Sequence, residues 1–235
     1  MKIALLGYGR MGKEIEKIAV QRGHAIVIKA VQKNTYDITD ADIAIDFSTP
    51  ESAFYNISHC ITHNIPVVSG TTGWLAHYKD IVALCTEKKG SFLYASNFSL
   101  GVNIFFELNK KLANIMRNFK NYSVDIEEIH HVHKVDAPSG TAITLAEGIL
   151  ENSSLSEWKL NTASTESILG ITAKRIPEVP GTHTIQYESS VDTITTTHTA
   201  HSREGFALGA VIAAEWLLHK KGVYTMKDVL HEALS

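Results

Sequence analysis

Cysteine, long apolar runs and an excess of either charge are all scarce in this sequence. Two cysteines, Cys60 and Cys85, occur in 235 residues, far apart in apolar stretches and without a CxxC spacing. That excludes a disulfide-stapled scaffold and fits two reduced, packed thiols in a reducing compartment. The N-terminal apolar run of MKIALLGYGR stops at Gly7, too short for a signal peptide. The longest apolar stretch, Phe206 to Leu218, is broken by Glu215 and falls short of the ~20 residues that span a bilayer. No membrane association is expected, and the cytoplasm is the expected compartment. Lys plus Arg (22) against Asp plus Glu (25) leaves a net charge of -3, so nothing general attracts nucleic acid or an anionic membrane. The three tryptophans, Trp74, Trp158 and Trp216, form no ordered stripe for stacking bases. An anionic ligand must therefore be held by a local site.

What is present is an ordinary globular composition, 44% apolar and 20% charged. The first hundred residues alternate short β-rich runs (Lys2 to Leu6, His24 to Val31, Ile43 to Phe47, Pro66 to Ser69, Phe92 to Ala95) with helical patterns. Those helices are expected at Met11 to Arg22, Glu51 to His63 and Trp74 to Lys89, and Gly23 stands where a helix-ending glycine belongs. This is the pattern of a parallel sheet wrapped by helices. After Gly101 come an amphipathic helix (Val102 to Phe119), a strand (Tyr122 to Ile129), a histidine-rich loop and a helix (Ser139 to Leu150). Ile168 to Arg175, Thr182 to Ser189 and Thr193 to His201 then alternate as half-buried strands, which predicts a mostly antiparallel sheet. An apolar helix (Gly205 to His219) and a short amphipathic tail (Met226 to Ala233) close the chain, while residues 151–169 carry no assignable pattern. The expected division is a Rossmann-type domain of residues 1–101 and 204–235 and an inserted α+β domain of residues 102–203.

Two constellations carry chemistry. Gly7-Tyr8-Gly9-Arg10-Met11-Gly12 follows a strand and precedes a helix, the context in which GxGxxG brings a pyrophosphate to a helix N-terminus. No acid ends the second strand, which reads Val31-Gln32-Lys33; Lys33 is suited to a 2'-phosphate, so NADH and NADPH both stay open. Three more loops follow strand ends, where open α/β sheets bind ligands: Phe47-Ser48-Thr49-Pro50, Gly70-Thr71-Thr72-Gly73 and Ala95-Ser96-Asn97-Phe98-Ser99. Their backbone amides suit a ribose or carboxamide, and Phe98 suits the face of a nicotinamide.

The second constellation is EEIHHVHKVDAPSGTA at 127–142. His130, His131 and His133 offer proton exchange near neutral pH, and Lys134 offers a cation for an anionic substrate. Ser139 resembles an N-cap, after which the amides of Gly140 and Thr141 open a helix suited to a carboxylate. His131 and His133 with Glu127 or Glu128 are also of metal-ligating type, but the spacing matches neither HExxH nor a Cys/His finger. Arg203, where the last strand meets the final helix, is a further candidate for a carboxylate, or else a structural ion-pair partner of Glu204 or Glu215. Another nicotinamide enzyme acting on an amino-acid-derived acid, or a non-catalytic dinucleotide sensor, stays open on these residues alone.

Taken in order, GYGRMG, DFSTP at 46–50, SGTTGW at 69–74, SNFSLGVN at 96–103, HHVHKVDAPSGTA at 130–142 and HSREGFALGA at 201–210 resemble the 4-hydroxy-tetrahydrodipicolinate reductase family. The resemblance implies reduction of a cyclic dicarboxylic imine by NADH or NADPH in lysine and diaminopimelate synthesis. It implies His130 as proton donor and acceptor, Lys134 as proton-donating lysine, and His131, Gly140 and Thr141 as substrate contacts. It further implies cofactor contacts from Gly7 to Gly12, Gly70 to Thr72 and Ala95 to Phe98, no metal, a final helix packed on the nucleotide domain, and a homotetramer. The short glycine loop and the abbreviated segment Lys33 to Asp42 depart from the family pattern.

Overall fold

In a computed structural model of the chain, described for residues 1–31 and 36–233, the residues form two compact units: Met1–Asn103 with Arg203–Ser235, and Ile104–Ser202. In the first unit β1 (Lys2–Leu6), β2 (Ala25–Ala30), β3 (Ile43–Asp46), β4 (Val67–Ser69), β5 (Ser91–Tyr94) and β11 (Gly222–Tyr224) make one parallel sheet in the order β11-β5-β4-β3-β1-β2. Its strands are nearly continuous apolar runs because both faces are covered. On β1, Ile3 and Leu5 face a cluster with Ile15 and Ala19 of α1 (Arg10–Gln21) and Ala210, Val211 and Ala214 of α6 (Glu204–Leu217). Ala4 and Leu6 face the other way, onto Ile57 and Ile61 of α2 (Pro50–Thr62) and Ile81 of α3 (Tyr78–Glu87). Cys60 and Cys85 are free thiols buried in that second cluster. The final helix thus belongs to the first unit, where Glu215 is clamped by Arg22 (2.8 and 2.7 Å) and His24 (2.7 Å).

The strand order reverses direction between β1 and β3, and that is where the carboxyl ends of an open sheet leave a crevice for a ligand. The glycine loop follows β1 and the Phe47–Pro50 loop follows β3.

The second unit is a five-stranded sheet with helices over one face. β6 (Ser123–His130) pairs antiparallel with β9 (Gly181–Glu188), and β9 with β10 (Thr193–Ala200). β8 (Ile168–Arg175) runs parallel to both β6 and β7 (Glu157–Leu160), so two of the four pairings are parallel and the sheet is mixed. The antiparallel character read from alternation holds for β6, β9 and β10. The parallel half arises because α5 (Gly140–Leu150) carries the chain back over the sheet after β6. Val124 and Ile126 of β6, Ile171 of β8 and Ile185 of β9 pack beneath α5 and α4 (Leu100–Met116) through Leu145, Ile149, Phe105 and Met116.

The differences from the sequence reading are local. β7 lies inside the unassigned stretch 151–169, and β11 was also unanticipated; both are edge strands of four and three residues, too short for a period to show. The helix expected over Trp74 to Lys89 is a 3₁₀ turn at Leu75–His77 followed by α3.

Candidate active site

At the end of β1 the chain turns through Gly7 at φ +96°, where a Cβ would stand 2.1 Å from the Phe47 carbonyl oxygen. At Gly12, inside α1, a Cβ would meet the Gly7 carbonyl oxygen at 2.4 Å. Both positions therefore exclude side chains, Gly12 through a contact within the loop and Gly7 through a contact with the loop after β3. Gly9, between them, has open space where its side chain would be. It is the N-cap of α1 and provides no side-chain cap, and the first helical turn has no acidic residue. Such an end leaves donors and a positive dipole for an anion, which fits the pyrophosphate of a dinucleotide. Arg10 is exposed and Met11 half-buried at the same turn. Tyr8 turns back over α1: its hydroxyl donates to Glu16, and Lys29 lies 4.9 Å from its ring centroid while pairing with Glu16 at 2.7 Å. Lys33 lies outside the described residues.

The next two loops are tied together by a residue the sequence reading passed over. Asp46, the last residue of β3, is completely buried. Its Oδ1 accepts from Ser48 (2.6 Å) and Asn56 (3.0 Å), and its Oδ2 from Ser69 (2.9 Å) and Thr71 (2.7 Å). Burial pushes its pKa up, against the pull of those four donors. Thr71 also accepts the Ser48 N–H at 2.9 Å, so its hydroxyl is committed inside the protein. Thr72 is exposed and Gly70 half-buried beside it. At the end of β5, Ala95 and Asn97 are half-buried and Ser96 exposed. Asn97 accepts the Ser99 N–H (2.9 Å), while its carbonyl accepts from Asn103 (2.9 Å). Phe98 is 1% exposed, with its ring 5.6 Å from that of Phe47 in the core. The ring read as a partner for the nicotinamide face is thus a packing element in this structure.

The acid-base cluster is built at the other end of the chain's logic, on β6. Alternation along this strand turns Val124, Ile126, Glu128 and His130 inward. Two of the four are ionisable, and each is nearly or wholly buried: His130 is 7% exposed and Glu128 0%. Burying a carboxylate requires partners. Arg175 donates to Oε1 through both terminal nitrogens (3.4 and 3.3 Å) and the Ser139 N–H donates to Oε2 (3.0 Å). Burial alone would raise the Glu128 pKa, but the neighbouring His183 and the hydrogen bonding from Ser139 outweigh it and hold the carboxyl at about 2. His130 moves the opposite way: burial, then the neighbouring His183, lower it to about 4, so the ring is neutral at pH 7.

The remaining residues of the motif surround this pair. Lys134, half-buried, binds both oxygens of Asp136 at 2.8 and 2.9 Å. His131 is half-buried with a sealed, unpartnered Nδ1, and its ring lies 6.2 Å from that of His133. Ser139 is the N-cap of α5, its Oγ accepting from Ala142 N–H at 3.2 Å. Gly140 is exposed and open where a Cβ would be, and Thr141 is half-buried beside it. His131, Lys134, Gly140 and Thr141 thus fall within one short segment after His130.

Neither Arg175 nor His183 stands out in the sequence, and Glu128 stands out there only as a residue of metal-ligating type. The available signal was a charged or polar residue at an inward position: Glu128 in the run 124-126-128-130, and His183 in 181-183-185-187. Glu128, His130 and His183 place three ligand-type atoms within 4.8 Å of one another. Arg175 and Ser139 already satisfy the carboxylate, and the Ser139 Oγ lies 3.1 Å from His183 Nε2. Those partners make the group a hydrogen-bonded hub.

Comparison with known proteins covers nearly the whole chain. The family models "Dihydrodipicolinate reductase, N-terminus" and "Dihydrodipicolinate reductase, C-terminus" match residues 1–98 and 101–230. The 4-hydroxy-tetrahydrodipicolinate reductase of Christiangramia forsetii is 58% identical over 99% of this chain and 98% of its own. That of Archaeoglobus fulgidus is 35% identical over 98% and 100%. The fold matches the structure titled dipicolinate bound dihydrodipicolinate reductase from Paenisporosarcina sp. TG-14, with a TM-score of 0.78 at 22% identity over 97% of this chain and 98% of that one. With a glycine-loop sheet in one unit and the buried histidine cluster in the other, both within matched segments, this chain belongs to the dihydrodipicolinate reductase family.

Proposed function

We propose that the chain reduces 4-hydroxy-tetrahydrodipicolinate to tetrahydrodipicolinate with loss of water, in lysine and diaminopimelate synthesis. The observation that carries this is the second unit's cluster: one uninterrupted segment, 128–141, supplies an acid-base histidine, a cation and a helix N-terminus. Those are the parts a cyclic dicarboxylate needs when a hydride must be added to its ring and a proton to the adjacent carbon.

NADH or NADPH, when bound, supplies the hydride. Gly7 to Gly12 hold the pyrophosphate at the α1 N-terminus, and the loops Gly70 to Thr72 and Ala95 to Phe98 complete the cofactor contacts. Lys33 is the residue we assign to a 2'-phosphate. Lys134 and the Gly140–Thr141 helix start hold a substrate carboxylate, with His131 beside them, and Lys134 exchanges Asp136 for the substrate as it does so. His130 delivers the proton through Nε2, because its Nδ1 is sealed from solvent. The unliganded ring is neutral at pH 7, so it takes up a proton before it delivers one. A bound dianion favours that uptake through its opposite charge.

The enzyme is placed in the cytoplasm, in keeping with two free buried thiols, and assembles as a homotetramer through the second unit, whose β9–β10 hairpin leaves Val191 85% exposed. Among the described residues no helix is long and apolar enough to cross a membrane. The decisive assay follows NADH and NADPH oxidation on substrate formed in situ from pyruvate and aspartate semialdehyde. His130→Ala and Lys134→Ala are each expected to lose ~10²-fold or more in kcat, and dipicolinate is expected to compete. Wild-type turnover in both variants would overturn the assignment.

A further inference from the structure

A structural ion pair between Glu128 and Arg175 would need one carboxylate oxygen. The other, Oε2, faces two imidazoles: it lies 3.5 Å from His130 Nδ1 and 3.7 Å from His183 Nε2. We infer that Glu128 is a positioning residue for the reduction: its carboxylate, pinned by Arg175 and the Ser139 N–H, turns the Nδ1–H of His130 toward itself and leaves Nε2 to deliver the proton. The inference rests on the reading of His130 as the proton donor and adds the group that sets its tautomer.

Three observations carry it. His130 Nδ1 is buried and has no aligned hydrogen bond, so Glu128 Oε2 is the acceptor within reach of that nitrogen. Such contacts are commonly long in an unliganded enzyme and tighten when the ring takes charge. Second, the carboxylate cannot swing away. Arg175 grips Oε1 and is itself anchored on the Asp136 carbonyl (2.7 Å), and register places it directly across from His130 on β8. Third, the ring is fitted from the other side. His183, directly across from Glu128 on β9, packs edge-on to His130 with centroids 5.0 Å apart at 71°. Gly181 leaves room for Nε2, since a Cβ there would stand 3.1 Å from it.

The charges around His130 give Glu128 its particular weight. His183 from β9, Lys134 from the loop and Arg175 from β8 all disfavour the protonated ring; Glu128, from its own strand, favours it. When the proton leaves Nε2, the cationic ring becomes neutral and keeps its Nδ1–H on Glu128, and solvent restores the Nε2 proton for the next turnover. The carboxylate itself stays ionised throughout.

Glu128→Gln tests this, with His130→Ala measured in parallel. At pH 7.5 the Gln variant is expected to lose at least ~10-fold in kcat while the KM for the nucleotide is unchanged. The limb on which activity falls as His130 deprotonates should move to lower pH. A Glu128→Gln enzyme with wild-type kcat and pH profile, beside an inactive His130→Ala, overturns the positioning role alone. An active His130→Ala overturns the underlying site reading instead. Nitrogen-15 NMR of wild-type His130 decides the matter if the Gln variant does not fold: the Nδ1–H tautomer is expected, and an Nε2–H tautomer refutes the inference.

Discussion

Acidification from pH 7 to pH 5 should weaken the fold most through His130, and in the same direction through His59 and His198, whose pKa burial also lowers. The ring titrates at about 4 in the folded protein against an ordinary 6.5. A base whose folded value is depressed binds fewer protons folded than unfolded, so its contribution is fully present above pH 6.5 and is lost progressively as pH falls toward 4. Applying linkage to those two values gives a loss of about 2 kcal/mol between pH 7 and pH 5. Glu128 adds little to this window, since its own loss begins below its ordinary value of 4.5 and is complete only near 2. The assay is urea unfolding of wild type and His130→Gln at both pH values and one protein concentration, since assembly makes midpoints concentration-dependent. Wild type should lose about 2 kcal/mol more than the variant on acidification. Equal losses would refute the reasoning, because they would mean that His130 is not held neutral by its surroundings.

Other consequences are equally direct. Gly12→Ala forces a Cβ to within 2.4 Å of the Gly7 carbonyl oxygen, so the glycine loop must open and NADPH affinity should fall at least ~10-fold by fluorescence titration, a loss of ~1.4 kcal/mol. Asp46→Asn keeps the shape but replaces one acceptor oxygen with a donor facing two hydroxyl or amide donors; a loss of about 1–3 kcal/mol is expected in denaturant unfolding. A native-state thiol titration should find Cys60 unreactive, since it is fully buried and burial pushes its thiol up; prompt labelling would contradict the packing.

Much of the first unit is legible in the sequence because its signals are local. β1, the glycine turn and α1 are consecutive, and Gly7 and Gly12 are required by contacts within the loop and with its immediate neighbour after β3. The expected strand and helix segments recur in the fold for the same reason, down to the alternation that turns Glu128 and His130 to one face of β6. Short edge strands escaped, since three or four residues give no period and β11 and β7 exist only through their neighbours β5 and β8. The Asp46 hub escaped too, because its donors come from two separate strand ends and a helix.

For the site, sequence alone determined the inventory: a glycine loop before a helix, and a histidine, a lysine and a capped helix start within twelve residues. These are set by adjacency along the chain. Tertiary structure alone decided how those groups behave. It seals the ring of Phe98 in the core and commits the Thr71 hydroxyl to Asp46. It brings Arg175 and His183, 45 and 53 residues beyond His130, onto the two strands flanking β6. Proton affinity depends on burial and on charges a few ångströms away. Sheet register sets both, and no spacing along the chain encodes them.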